Sequence, residues 1–191
     1  MIKEYFESFK VLTKEEIETV IQLFTPKKLN KFDFFVQEGQ RCTEIAFIKS
    51  GVFRSYYLSN EGEDITYCFR FQNELMAAYS SFITGEGRLE NMQALSSAEL
   101  LVIKKSEMEK LTKSPNWIKF LKIIAEQNYL ELEKRVFQLQ RDNAVQRYTL
   151  LLENQPEYIQ QIPLQYLSSY LGITQRHLSR IRKEIVFGQM S

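Results

Sequence analysis

One stretch constrains this chain more than any other. No glycine or proline follows Pro115 until Pro156. Ser114-Pro115 supplies an N-cap followed by proline at the first helical position, where its missing N–H costs nothing. Trp117, Leu121, Ile124, Asn128, Leu132, Val136 and Leu139 then recur at steps of three and four, the spacing of one helical face. Phe120, Ile123, Leu130 and Phe137 form a second stripe. A helix over 114–140 extends about 40 Å, longer than a small domain needs. Two apolar faces call for two partners. The spacing predicts one face packed on the β-unit and the other on the same helix of a second copy, so Trp117, Leu121, Ile124, Asn128, Leu132, Val136 and Leu139 are the expected dimerisation stripe. The alternative is a helix buried on both sides within a monomer.

The texture differs on either side of this helix. Residues 1–24 read as helix, with Thr13 as N-cap, Glu16 as its capping-box partner, an apolar stripe at Ile17, Val20, Ile21 and Phe24, and Pro26 as punctuation. Residues 27–108 lose that period. Short aromatic and β-branched runs appear at 31–36, 45–49, 52–58, 64–71, 91–95 and 99–103, separated by glycine-bearing turns such as Ser50-Gly51 and Asn60-Glu61-Gly62. Many short strands with frequent turns predict an antiparallel sandwich or barrel. After the long helix, 142–152 reads as helix, Asn154-Gln155-Pro156 as a break, and 158–162 as a short strand-like run before Pro163.

The sharpest local signal is residues 163–185. Leu164, Leu167 and Leu171 make the inner face of one helix, and Ser168 is small where two helices must approach. Gly172 falls where a tight turn requires positive φ. Ile173 plugs the turn and Thr174 caps a second helix whose inner stripe is Leu178, Ile181 and Ile185. This is the spacing of a helix-turn-helix. The second helix turns Gln175, Arg176, Ser179, Arg180 and Lys183 outward, with Arg182 to the side and no acid between Thr174 and Lys183. Arginine and glutamine suit base edges in the major groove, and Thr174 with the free N–H groups of the helix start suits a phosphate. The expected DNA-binding residues are therefore Thr174, Gln175, Arg176, Ser179, Arg180 and Lys183. The bland alternative is a helical hairpin with a solvated charged face.

Composition narrows the function classes. Lys+Arg number 25 and Asp+Glu 24, a net charge of +1, which excludes a protein that coats nucleic acid through bulk charge. Residues 141–191 carry six basic and four acidic side chains, and four of the six lie on the second helix of the motif. One histidine, His177, and two cysteines, Cys42 and Cys68, leave no inventory for a zinc site, an iron–sulfur cluster or a disulfide framework. His177 has no local nucleophile or carboxylate for company, so no catalytic residue is expected. No run of 18 apolar residues occurs and the N-terminus lacks a secretory core, so a cytoplasmic protein with no membrane partner is expected.

A β-rich unit, a long helix and a C-terminal helix-turn-helix, in that order, resemble the Crp/Fnr family of bacterial transcription regulators. The likeness covers nearly the whole chain. Its most specific part is Leu167-Ser168-Ser169-Tyr170-Leu171-Gly172-Ile173-Thr174 with Leu178-Ser179-Arg180-Ile181, joined by Phe35-Val36-Gln37-Glu38-Gly39 and Ile45-Ala46-Phe47-Ile48-Lys49-Ser50-Gly51 in the β-region. The resemblance implies base reading by Gln175, Arg176, Ser179 and Arg180, a homodimer joined along the long helix, a near-palindromic double-stranded DNA site, and RNA polymerase as a partner. It also implies a cyclic-nucleotide-type cassette at 77–89. There the family's Gly-Glu pair is replaced by Ala77-Ala78, and the residue after Arg88 is Leu89. Two alanines accept no ribose hydroxyl and leucine offers none to a phosphate, so ordinary cyclic-AMP binding is not expected. Tyr79, Ser80, Ser81 and Arg88 remain as effector-binding candidates for an unidentified small molecule, with no certain cofactor.

The expected fold is α+β: an N-terminal helix and double-stranded antiparallel β-roll, jelly-roll-like, over 1–113; a long dimerisation helix over 114–140; and a winged helix-turn-helix over 141–191. The expected function is a homodimeric, sequence-specific DNA-binding regulator, not an enzyme. The alternative is a small-molecule-binding regulatory module with a helical interaction tail.

Overall fold

The computed structural model describes residues 1–87 and 89–188. The chain divides into two compact units. The first holds Met1–Tyr57 and Cys68–Asn128; the second holds Leu58–Tyr67 and the chain from Tyr129 onward.

The first unit opens with α1 (Ile2–Ser8) and α2 (Lys14–Leu23). The expected single helix is thus two, parted around Lys10, which takes a φ of 54°. Thr13 caps α2 as its sequence predicts: its hydroxyl accepts the Glu16 N–H at 3.2 Å and the Glu16 carboxylate accepts the Thr13 N–H at 2.8 Å. Pro26, read as helix punctuation, lies inside β1 (Thr25–Leu29). It is tolerated because β1 is the outer strand of its sheet.

Two four-stranded antiparallel sheets follow, as the strand-and-turn rhythm predicts. One has the order β1, β8 (Ala98–Lys104), β3 (Glu44–Ser50), β6 (Leu75–Met76). The other has β2 (Phe34–Val36), β7 (Asn91–Ala94), β4 (Phe53–Leu58), β5 (Asp64–Arg70). Their inner faces pack Phe35, Ile48, Phe53, Met76, Met92 and Leu100 into one core. Two short helices carry no period long enough to read from sequence, α3 (Tyr79–Thr84) and α4 (Lys105–Leu111).

A second apolar cluster joins Phe6, Ile17, Val20, Phe47 and Ile103 to the start of the long helix α5 (Pro115–Arg141). Trp117 stacks edge-on against Phe6 at 5.8 Å and Phe120 at 5.4 Å. A polar tie fixes the same junction. Glu16, besides capping α2, accepts from the Ser114 hydroxyl and from Asn116 Nδ2 at 3.1 Å, while Ser114 Oγ accepts the Asn116 N–H at 3.2 Å. Burial alone would raise the Glu16 carboxyl, but the hydrogen bonds from Ser114, Thr13 and Asn116 prevail and hold it below its ordinary value.

In the second unit the end of α5 is followed by α6 (Ala144–Asn154), α7 (Pro156–Gln161), α8 (Leu164–Tyr170) and α9 (Gln175–Gly188). Tyr148, Leu151, Tyr158, Ile162, Leu167, Leu171, Leu178 and Ile181 are among its buried apolar side chains. The strand-like run at 158–162 is helical instead. Pro156 stands at the first position of α7, where proline starts a helix, and this outweighs the β-branched content of Ile159 and Ile162. Among the described residues from 141 onward there is no strand, so the expected wing is not seen there; the helix-turn-helix stands on helices alone.

The lowered Glu16 carboxyl makes stability depend on pH. A depressed carboxyl stabilises the fold above its unfolded value, and that share is lost as pH falls through the folded value. Glu16→Gln should cost about 1 kcal/mol at neutral pH, discounted for partial exposure. The deficit should shrink once pH drops below the ordinary value of 4.5. Urea unfolding of both proteins across pH 3 to 7, roughly the carboxylate range, checks this.

Candidate nucleic-acid interface and effector cassette

The turn between α8 and α9 is built as the sequence predicts. Gly172 takes a φ of 66°, and its N–H donates to Ser169 O at 2.9 Å while Ile173 N–H donates to Ser168 O at 3.0 Å. Those bonds end α8 and reverse the chain. Thr174 Oγ1 accepts the His177 N–H at 3.2 Å, which caps α9 and leaves its other first-turn N–H groups pointing outward. Ser168 is buried, with its hydroxyl turned back to Gln165 O at 2.9 Å. Leu167, Leu171, Leu178 and Ile181 lock the two helices from inside.

The outer face of α9 carries Gln175, Arg176, Arg180 and Lys183, all exposed, with Thr174 exposed at its start. Ser179 is half-buried and sits at the shoulder of this face. Arg180 Nε lies 3.6 Å from Glu184 Oε1, both groups being well exposed. Such a surface pair contributes at most about 1 kcal/mol and gives way readily to a phosphate or a base edge. Glu184 lies one residue past the acid-free stretch and takes no part in the sequence-based site. Arg182 does not join the outer face: it is half-buried and its guanidinium lies 5.9 Å from the Tyr148 ring. Three exposed cations and a free helix start can hold the phosphate backbone while Gln175 and the arginines face base edges.

Two further arginines have no local sequence signal. Arg135 stacks on the Tyr170 ring at 3.9 Å and donates to the Tyr170 carbonyl. Arg147 Nε donates to Leu171 O at 3.1 Å, and another of its nitrogens donates to Asp142 O. Both close the carbonyl end of α8, where a cation complements the helix dipole. Tyr170 and Leu171 lie tens of residues from these arginines, so no spacing rule points to those contacts.

The described part of the cassette is built around α3. Ala78 is fully buried; Tyr79 and Ser80 are exposed. Ser81 is buried and engaged: its hydroxyl accepts the Cys42 N–H at 2.9 Å and donates to Glu86 O at 2.6 Å. It therefore ties the loop to the roll. Arg88 lies outside the described residues. Gly87 presses on the opposite turn, for a Cβ there would stand 2.1 Å from the Gly39 carbonyl oxygen. The Cys42 thiol donates to Glu44 O at 3.2 Å, and burial pushes its pKa up, which suits packing and not nucleophilic attack. Among the described residues no group of three or more His, Cys, Asp or Glu gathers as metal ligands would.

The stripe along α5 changes character along its length. In the first unit Trp117 is buried, and Leu121 and Ile124 pack against the same core, so this part of the expected dimerisation stripe is core. Asn128 is half-buried. In the second unit Leu132, Val136 and Leu139 are exposed, together with Tyr129, Leu130 and Phe137, at 40–62% of their surface. Among the described residues no helix is long and apolar enough to cross a membrane.

Known proteins match this geometry. Residues 26–114 match the cyclic nucleotide-binding domain family. The fold is similar to that of FixK2 from Bradyrhizobium japonicum, with a TM-score of 0.76 and 18% identity over 87% of this chain and 86% of that one. It is similar to CLP, the c-di-GMP responsive global regulator of Xanthomonas campestris, at 0.72 and 14% over 93% of each chain. It is also similar to a protein of Eubacterium rectale assigned to the Crp/Fnr family of transcriptional regulators, at 0.71 and 20% over 97% and 89%. The anaerobic regulatory protein of Bacillus subtilis is 23% identical over 100 residues, 52% of this chain; the match spans 42% of that protein, less than half its length.

The contact between Gly87 and Gly39 makes a direct prediction. Gly87→Ala forces two backbone segments apart and should destabilise the first unit by about 1–3 kcal/mol. Gly62→Ala, where a Cβ meets nothing within 4 Å but φ is +80°, should cost about 1 kcal/mol through strain alone. Thermal unfolding of both variants ranks the two effects.

Proposed function

We propose, from the match of residues 26–114 to the cyclic nucleotide-binding domain family and the likeness of the fold to that of Crp/Fnr regulators, that this protein is a homodimeric, sequence-specific DNA-binding transcription regulator without enzymatic activity. The observation that carries the reading is the capped, glycine-turned pair α8–α9 with Arg176, Arg180 and Lys183 exposed along one side. Thr174 and the α9 start hold a phosphate, Gln175, Arg176 and Arg180 read bases, Ser179 packs against the groove wall, and Lys183 meets the backbone.

The dimer forms along the lower half of α5. Six large apolar side chains between Tyr129 and Leu139 are exposed, a concentration that monomeric proteins seldom leave to water. Pairing two such helices sets two recognition helices about 34 Å apart, one turn of DNA, and the site they read is near-palindromic. The roll senses an unidentified small molecule and not cyclic AMP in the usual manner, because Ala77, Ala78 and Leu89 supply no partner for ribose or phosphate. A ligand bound there acts only by favouring one state of the dimer over another. RNA polymerase is the partner through which a cytoplasmic regulator of this kind acts.

Fluorescence anisotropy tests the reading. The wild-type protein should select a duplex from a random-sequence pool, with binding that weakens steeply as salt rises. Arg176→Ala combined with Arg180→Ala should lower affinity by roughly a hundredfold or more and flatten the salt slope. A protein that selects no duplex, or a double variant that binds as tightly as wild type, contradicts it.

A further inference from the structure

β5 is the outer strand of its sheet, so one side of its backbone has no neighbouring strand to bond. Asp64 and Thr66, two residues apart, turn backbone groups to the same side of the strand. Both groups meet one side chain. The Thr66 N–H donates to Ser169 Oγ at 2.9 Å, and that hydroxyl donates its own proton to Asp64 O at 2.8 Å. A serine hydroxyl has one proton and free lone pairs, so Ser169 stands in for the N–H and C=O that a further strand would offer. Thr66 is 1% exposed. Its N–H has no ready access to water, and losing the serine would leave a buried donor unmet.

Ser169 occupies a telling place. It precedes Tyr170 and Leu171, whose carbonyls Arg135 and Arg147 hold, and then the Gly172 turn into α9. The hairpin at 58–67 shares a compact unit with α8 and α9, while β4 and β5 continue from it into residues of the first unit. We infer that Ser169 is a positioning residue: it ties the β4–β5 hairpin to the first helix of the helix-turn-helix, and through that tie the hairpin sets the attitude of the recognition helix. The side chain that makes this tie touches neither DNA nor effector. The inference rests on the DNA-binding reading above.

The test compares wild type with Ser169→Ala, which removes both bonds, and Ser169→Thr, which keeps the hydroxyl. Two readouts are taken on the full chain: hydrogen exchange at the Thr66 amide, and anisotropy on a duplex selected by the wild-type protein beside an unrelated duplex of equal length. In Ser169→Ala the Thr66 amide should exchange about tenfold faster or more, and affinity for the selected duplex should fall about tenfold. Affinity for the unrelated duplex and the salt slope should stay unchanged, since Ser169 meets no phosphate. Ser169→Thr should restore both readouts. Unchanged exchange at Thr66 overturns the tie. Faster exchange with unchanged affinity for the selected duplex overturns the positioning role. A wild-type protein that selects no duplex defeats the DNA-binding reading itself, and the Thr66 exchange rate then shows separately whether the tie exists.

Discussion

Everything in this chain depends on how α5 is held at its start. Trp117 and Phe120 are both 1% exposed, packed with Phe6 and the α2 face. Truncating either aromatic would cost about 3–5 kcal/mol. The polar tie among Glu16, Ser114 and Asn116 seals the same junction. A helix of 27 residues gains little from propensity alone and needs burial to persist in water. The first unit supplies that burial for the upper turns. Farther along, Arg135 fastens the helix to α8 within the second unit. One uninterrupted helix therefore contributes to two cores, and large apolar residues between Tyr129 and Leu139 stay exposed; the proposed dimer would cover them.

Charge is distributed with the same division of labour. The chain is nearly neutral, and residues 141–191 carry only a small excess of basic side chains. Several of those are structural. Arg147 closes the end of α8, Arg182 lies over Tyr148, and Arg141 pairs with Asp142 at 2.8 Å. That leaves Arg176, Arg180 and Lys183 on the outer face of α9, with Arg180 already drawn to Glu184. So small a field steers DNA weakly. On the proposed reading, affinity for DNA would come from two copies acting together and from contacts made at base edges.

Where the physics is local, the sequence speaks plainly. The Thr13–Glu16 capping box, the Ser114-Pro115 helix start, the Gly172 turn and the Thr174 cap each need only residues within a few positions, and each is found in place. The alternation of short strands is local too, and the two sheets follow it. Pro26 misleads because only an edge position in the finished sheet makes a strand proline acceptable. The 158–162 run misleads because Pro156 starts a helix that short β-branched content cannot oppose. Trp117 shares a helical stripe with Leu132, yet their fates diverge, since a period shows which residues share a face and not what covers it. The contacts of Ser81 with Cys42, Arg135 with Tyr170, Arg147 with Leu171 and Ser169 with Thr66 join residues far apart in sequence, so no spacing rule marks them. That Ala77, Ala78 and Leu89 offer no side-chain partner to a ribose or phosphate was legible in the sequence; how Ser81 is consumed in closing the loop was not.

The central claim is that two copies of this chain, joined along α5, present two α9 helices to one face of DNA. Hydroxyl-radical footprinting on a duplex selected by the protein tests it most directly. The account predicts two protected patches related by a dyad and centred about one helical turn, roughly 34 Å, apart. A single patch without a symmetric mate, or no protection at a concentration that saturates binding, would contradict it.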